Sequence, residues 1–154
     1  MTVSLENKVP PPLVGALVAV FMWSIAGLGP RLPITAGVSY LLTGLFAAAG
    51  ITFDLLGILA FRASRTTINP LKPEKASALV TGGVYRVTRN PMYVGMALLL
   101  LAWAGYLSAL LPFIGPVLLV LWITRFQIQA EERVLRRIFG EAYSSYAARV
   151  RRWL

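Results

Sequence analysis

Two stretches of this chain carry residues whose types and spacing could do chemistry. The first, Thr81 to Gly95, reads TGGVYRVTRNPMYVG and sets Tyr85, Arg86, Arg89, Asn90 and Tyr93 among glycines and Pro91. The second places Arg125 ahead of two adjacent carboxylates, Glu131 and Glu132. Guanidinium and amide groups donate to anions, whereas paired carboxylates accept from cations and are repelled by anionic lipid headgroups. Together they suit a ligand that carries both signs of charge. The chain has no cysteine and no histidine. Thiol nucleophiles, disulfides, histidine bases and ordinary zinc sites are thereby excluded, and no metal site is expected. Proton transfer falls to carboxylates, tyrosines, water or the substrate itself.

The elements that must position these residues are membrane helices. The 154 residues suffice for a single domain, 1–154, and 57% of them are hydrophobic. Several apolar runs approach the roughly 20 residues that cross a bilayer. Spans are expected over about 14–28, 34–61, 91–109 and 116–130. Asn90 is placed as the N-cap of the third, with Pro91 at its first position. Gly37, Gly44, Gly50 and Gly57 form a near-heptad stripe on the second, suited to close helix packing within the chain or in a dimer. The oligomeric state is left open.

The net charge of +9 lies mostly in the connector 62–90 and the tail 131–154. This is the distribution that anionic lipids and the positive-inside rule produce, so membrane lipids are expected as partners and nucleic acid is not. Both termini are then cytoplasmic. No cleaved signal peptide is expected after the first run. Tyr143, Tyr146, Val150 and Trp153 are spaced to share one face of a C-terminal helix lying in the membrane interface, and Gly140 is a stop signal before it. The expected fold class is all-α: a polytopic membrane protein of four transmembrane helices, the last two an antiparallel hairpin, closed by an amphipathic interfacial helix. Such a hairpin brings the mouth of the third span beside the exit of the fourth, so the two polar stretches should meet. Asp54, deep in the second run, is expected either to bond another helix or to line a substrate pocket.

GVYRVTRNPMYVG followed by RFQIQAEERVLRRIFGEAYSSYAARVRRW resembles the isoprenylcysteine carboxyl methyltransferase and phospholipid methyltransferase group of membrane enzymes. Their pattern is a Gly-x-Tyr-x-x-x-Arg-His-Pro-x-Tyr-x-Gly run, a Glu-Glu pair, then Phe-Gly-x-x-Tyr-x-x-Tyr. Here Gly83, Tyr85, Arg89, Pro91, Tyr93 and Gly95 match the run, then Glu131 and Glu132, then Phe139, Gly140, Tyr143 and Tyr146. The likeness covers roughly residues 72 to 154. Asn90 stands where the family has histidine; it can hold a ligand but cannot shuttle a proton near neutrality.

The resemblance implies S-adenosyl-L-methionine as cofactor, and a small lipophilic or membrane-resident acceptor presenting a carboxylate, amine or thiol. Gly83, Tyr85, Arg86, Arg89, Asn90, Pro91, Tyr93, Glu131 and Glu132 are expected to hold the cofactor, with Arg89, Glu132 and Tyr93 acting directly in catalysis. Cations and amides would take its carboxylate, the glutamates its amino group, and a tyrosine face its sulfonium. Membrane sterol reductases share a related arginine-proline-tyrosine hairpin and use NADPH, but are longer. A non-catalytic four-helix protein binding lipid or a partner is the other reading. The short format points to a prokaryotic inner membrane.

Overall fold

The computed structural model describes residues 6, 8–64 and 77–154. Half of the connector's basic residues, Arg65, Lys72 and Lys75, therefore lie outside the described part. Pro10 and Pro11 start helix α1, Pro11–Ile25, where their missing N–H groups cost nothing. Thr35 caps α2, Ala36–Ala63, by accepting from the Val38 amide. Pro91 opens α3, Pro91–Leu107, which ends on Ser108 in the left-handed conformation, φ 50°. After a 3₁₀ turn at Leu111–Phe113 come α4, Ile114–Ile123, a π-helical turn at Thr124–Ile128, and α5, Gln129–Arg149.

Two of these rods, Ala36–Ala63 and the continuous run Leu111–Arg149, are long and apolar enough to cross a membrane; Pro11–Ile25 and Pro91–Leu107 are apolar but shorter. The apolar part of the long run ends at Ile128, ahead of Glu131 and Glu132. The described residues form no strand, only the single bridges Arg31 to Ala109 and Thr88 to Arg151. Leu17, Val20, Trp23, Leu41, Leu45, Leu55, Leu59 and Leu121 all present large apolar side chains outward. Surface of that extent calls for a lipid environment.

Helices α2 and α3 run antiparallel. Ser39 donates to the Gly105 carbonyl at one end (2.7 Å), and Phe61 meets Tyr85 edge to face at the other (5.5 Å between centroids). Between them the backbones touch. A Cβ on Gly50 would lie 2.9 Å from the Gly95 carbonyl oxygen, and one on Gly57 2.8 Å from Met92 Cγ. Only half of the expected glycine stripe packs in this way, since Gly37 and Gly44 face open space. Asp54 lies directly against Gly95, in the place a side chain there would take. It makes no hydrogen bond or ion pair among the described residues, so the expected helix–helix bond is absent.

Helix α1 seals the other side. Met22 is fully buried against Gly115, beside Val14, Leu100, Ala104, Leu119 and Ile123. Trp103 donates to the Ala19 carbonyl (3.1 Å). The loop after α1 is stitched to the end of α3 by Leu32 N–H to Ser108 O and Leu110 N–H to Pro30 O, both 3.0 Å.

The tail departs most from expectation. Gly140, at φ 50° and ψ −121°, is non-helical and divides α5 into two helical stretches where a stop was expected, but the second stretch ends at Arg149. Val150 is extended (φ −119°, ψ 133°), so Trp153 is not on a helix at all. Tyr143 and Tyr146 are buried in the protein, not laid on headgroups. Their spacing is that of an amphipathic face; the face packs onto the polar stretches described next.

Candidate active site

The left-handed Gly83, φ 58°, starts a 3₁₀ turn at Gly83–Arg86. That conformation favours glycine, which has no Cβ to clash with the backbone. The turn sends Tyr85 inward and leaves Arg86 exposed. Tyr85 is held twice, by Phe61 and by the Tyr146 hydroxyl, which donates to its carbonyl at 2.7 Å. Burial, with Tyr146 and Glu131 nearby, pushes the Tyr85 hydroxyl pKa far up.

Arg89 is nearly buried, with 11% of its side chain exposed. Its NH2 donates to Glu132 Oε1 and its NH1 to the Ala147 carbonyl, each at 2.8 Å. Its buried Nε–H has no hydrogen-bond acceptor. A buried guanidinium donor left unpaired is costly, and is a place where a ligand's acceptor atom fits.

The exit of the fourth rod supplies the carboxylates. The wider π turn inserts a residue into the helix, a feature that recurs at functional sites. Both Gln127 and Ile128 are thereby buried. Gln127 Nε2 donates to Glu131 Oε1 at 2.6 Å, and the Tyr93 hydroxyl donates to the same oxygen at 2.7 Å. Burial raises the Glu131 carboxyl to about 7, the Glu132 charge adding to the effect and the two hydrogen bonds opposing it. Glu132 behaves oppositely. Burial works against its ionisation too, but hydrogen bonds from Arg152 and the charges of Arg89, Arg152 and Arg136 hold its carboxyl below the usual range.

The structure thus brings Tyr85, Arg89, Asn90, Pro91, Tyr93, Glu131 and Glu132 together, with Gly83 as the hinge that aims Tyr85. It does not bring in Arg86, which is exposed. Arg125, expected beside the glutamates, instead reaches outward to Glu6 (3.2 Å), which Arg133 also pairs. Nor does the Asn90 side chain cap α3; its amide donates to the Arg152 carbonyl at 2.9 Å.

The sequence reading missed Arg152, Gln127 and Thr88. Arg152 holds Glu132 through Nε to Oε1 (2.9 Å) and NH2 to Oε2 (2.8 Å). Thr88, fully buried, donates to the Arg152 carbonyl at 3.1 Å. Arg152 was hidden among tail arginines of identical type. Gln127 had a signal, as an amide at the end of an apolar run.

Comparisons with known proteins place the chain among membrane methyltransferases. The sequence profile of the phospholipid methyltransferase family matches residues 38–142. An uncharacterized protein of Haemophilus influenzae is 43% identical over 63 residues, 41% of this chain and all of that protein. Protein-S-isoprenylcysteine O-methyltransferase B of Arabidopsis thaliana is 32% identical over 112 residues. That alignment covers 66% of this chain but only 55% of the plant protein. No solved structure matches.

Proposed function

The chain belongs to the phospholipid methyltransferase family, and from that premise we propose that it is an S-adenosyl-L-methionine-dependent membrane methyltransferase. Its acceptor is a lipophilic or lipid molecule. The observation that carries this reading is the meeting of the Arg89 stretch with the Glu131–Glu132 pair, a site with open positions of both signs.

The residues fit the cofactor's amino-acid end. The unpaired Nε–H of Arg89 is a donor for its carboxylate. An ionised carboxylate accepts at about four lone-pair positions. Glu132 has two taken on Oε1, by Arg89 and Arg152, and one on Oε2, by Arg152. The remaining position on Oε2 suits the cofactor's ammonium group. Bound there, S-adenosylmethionine supplies a methyl group activated by its sulfonium.

The chain's own residues then orient, desolvate and move a proton. Tyr85 and Tyr93 offer ring faces and buried hydroxyls to the cationic centre. Methyl transfer is an in-line displacement, so fixing the two partners and excluding water supply much of the acceleration. Sequence alone points to Glu132 for direct catalysis; in this proposal it holds, since two guanidinium partners make it a poor base. Glu131 is the group suited to accept a proton. Its Oε2 carries no hydrogen bond among the described residues, and its carboxyl titrates near neutrality. That favours an acceptor which must lose a proton, an amine or a thiol, over a carboxylate.

The proposed setting is a prokaryotic inner membrane, crossed four times with both ends cytoplasmic and the last two spans as a hairpin. The arginines of 131–154 support that orientation. The test is the thermal stability of detergent-purified protein with S-adenosylhomocysteine, NADPH or neither. Stabilisation by S-adenosylhomocysteine is expected. Stabilisation by NADPH alone would replace this reading with a reductase, and no response to either would leave a non-catalytic membrane protein.

A further inference from the structure

The last residues of the chain are sewn into the polar stretch ahead of α3. Arg89 N–H donates to the Arg151 carbonyl (2.9 Å). The Thr88 hydroxyl and the Asn90 amide both donate to the Arg152 carbonyl (3.1 and 2.9 Å). One residue on, the Trp153 indole donates to Thr124 Oγ1 (3.1 Å), at the start of the π turn. Four hydrogen bonds from two separate elements thus fix a short extended segment that has no helix or sheet of its own to hold it. What they fix is the aim of one side chain. The Arg152 guanidinium meets Glu132 with two parallel hydrogen bonds, the most directional form of this pairing.

We propose that Arg152 is a positioning residue of the cofactor site, delivered by the C-terminal segment to keep Glu132 ionised and to leave one Oε2 lone pair open for the cofactor's ammonium group. The inference rests on the methyltransferase reading above. It gives Asn90 a task as well. In place of the family's histidine, its amide anchors the carbonyl of the residue that clamps Glu132.

The charges around Glu132 make the role specific. Arg89 reaches it from the segment before α3, Arg152 from the C-terminal segment, and Arg136 from one turn along α5 at 3.9 Å. Glu131 and Tyr143, also on α5, are the other titratable groups facing it. Arg136 is more than half exposed and too distant for a hydrogen bond, so screening weakens it. Losing Arg152 removes the one hydrogen bond to Oε2 and one of the two to Oε1, leaving Arg89's single contact. The carboxylate then rotates freely about that contact, and its acid form becomes easier to reach.

The test is S-adenosylhomocysteine affinity of full-length protein in detergent, measured by calorimetry from pH 4 to 8, for the wild type, Arg152→Ala, Arg152→Lys and the exposed-charge control Arg149→Ala. Arg152→Ala is expected to weaken binding roughly tenfold or more and to move the acid-side loss of affinity to higher pH. Arg152→Lys should restore the pH midpoint better than the affinity, since lysine supplies charge without the two-pronged geometry. Arg149→Ala should match the wild type. Size-exclusion profiles confirm that each variant is folded; if Arg152→Ala is not, Arg152→Lys carries the test, with weakened affinity supporting the role and unchanged affinity overturning it. Wild-type affinity and an unmoved acid limb in Arg152→Ala would overturn the inference while leaving the methyltransferase reading intact. Absence of wild-type binding would overturn the methyltransferase reading, and this inference with it.

Discussion

Glu131 and Glu132 are chain neighbours that take their hydrogen bonds from opposite kinds of donor. Glu131 is held by the neutral Tyr93 and Gln127, and Glu132 by the cationic Arg89 and Arg152. Successive residues on a helix point about 100° apart, so one glutamate faces the flank of α3 and the other the loop before it. The pair is therefore not a redundant patch of negative charge. One carboxyl is kept ready to change protonation, and its neighbour is kept from doing so.

This difference has a pH signature. The Glu131 carboxyl is raised from 4.5 to about 7, so between those values the folded protein keeps a proton that the unfolded chain has lost. Stability contributed by this group is present below pH 4.5 and is lost as pH rises through 7. Thermal unfolding in detergent should show a declining midpoint across that window, and Glu131→Gln should flatten it. Glu132, lowered by its arginines, acts the other way: its contribution is lost only as pH falls below the ordinary carboxylate range. A Glu131→Gln profile that falls as steeply as the wild type's between pH 5 and 7 would refute the assignment.

Replacing Arg89 should affect both folding and binding. Arg89→Ala strips a charge-assisted hydrogen bond from Glu132 and leaves the Ala147 carbonyl without its donor. Because Arg152 still neutralises Glu132, the expected loss is about 1–3 kcal/mol, below that of a buried ion pair losing its sole partner. S-adenosylhomocysteine should no longer raise the melting temperature. Arg89→Lys should recover part of the stability but little of the binding, as it cannot serve two acceptors in one plane.

The α2–α3 seam should tolerate no side chain at Gly95. A Cβ there would strike the Asp54 carboxyl and lie 2.8 Å from the Gly50 carbonyl oxygen. Gly95→Ala should cost about 1–3 kcal/mol through the forced separation of backbones. Gly44→Ala, which meets open space, should be neutral or slightly stabilising. Steric trapping or detergent-denaturation midpoints would separate the two, and equal effects would contradict the packing described.

Asn90 should govern the order of the C-terminal segment. Asn90→Ala removes one of the two side-chain donors to the Arg152 carbonyl, at a cost of about 0.5–1.5 kcal/mol. Hydrogen exchange should rise at residues 150–154 while the cores of α2 and α3 stay protected. Unchanged exchange in the tail would show that Thr88 and Trp153 hold it without help.

Much of this architecture was legible in the residues. Asn90-Pro91 marked the start of α3 where the helix begins, because proline and short polar residues act through local backbone geometry. The meeting of the two polar stretches was legible from the short turn between the runs that carry them, but the individual contacts, Arg89 with Glu132 and Tyr93 with Glu131, were not. The failures share a cause. Arg125, Arg133 and Arg152 look alike in sequence, and only the fold decides that the first two meet Glu6 while the third clamps Glu132. Asn90 has the chemistry of a cap and the backbone of one, yet a nearby carbonyl took its amide. Tyr143 and Tyr146 show the face-like spacing of an interfacial helix, but periodicity cannot tell a face turned to lipid from one turned to protein.

The account's central claim is a cofactor site formed where Arg89, Glu131 and Glu132 meet, and equilibrium dialysis of labelled S-adenosylhomocysteine against the purified protein tests it most directly. The predicted result is one saturable site per chain, weakened by Arg89→Ala and undisturbed by excess NADPH. No saturable binding, or full displacement by NADPH, would contradict it.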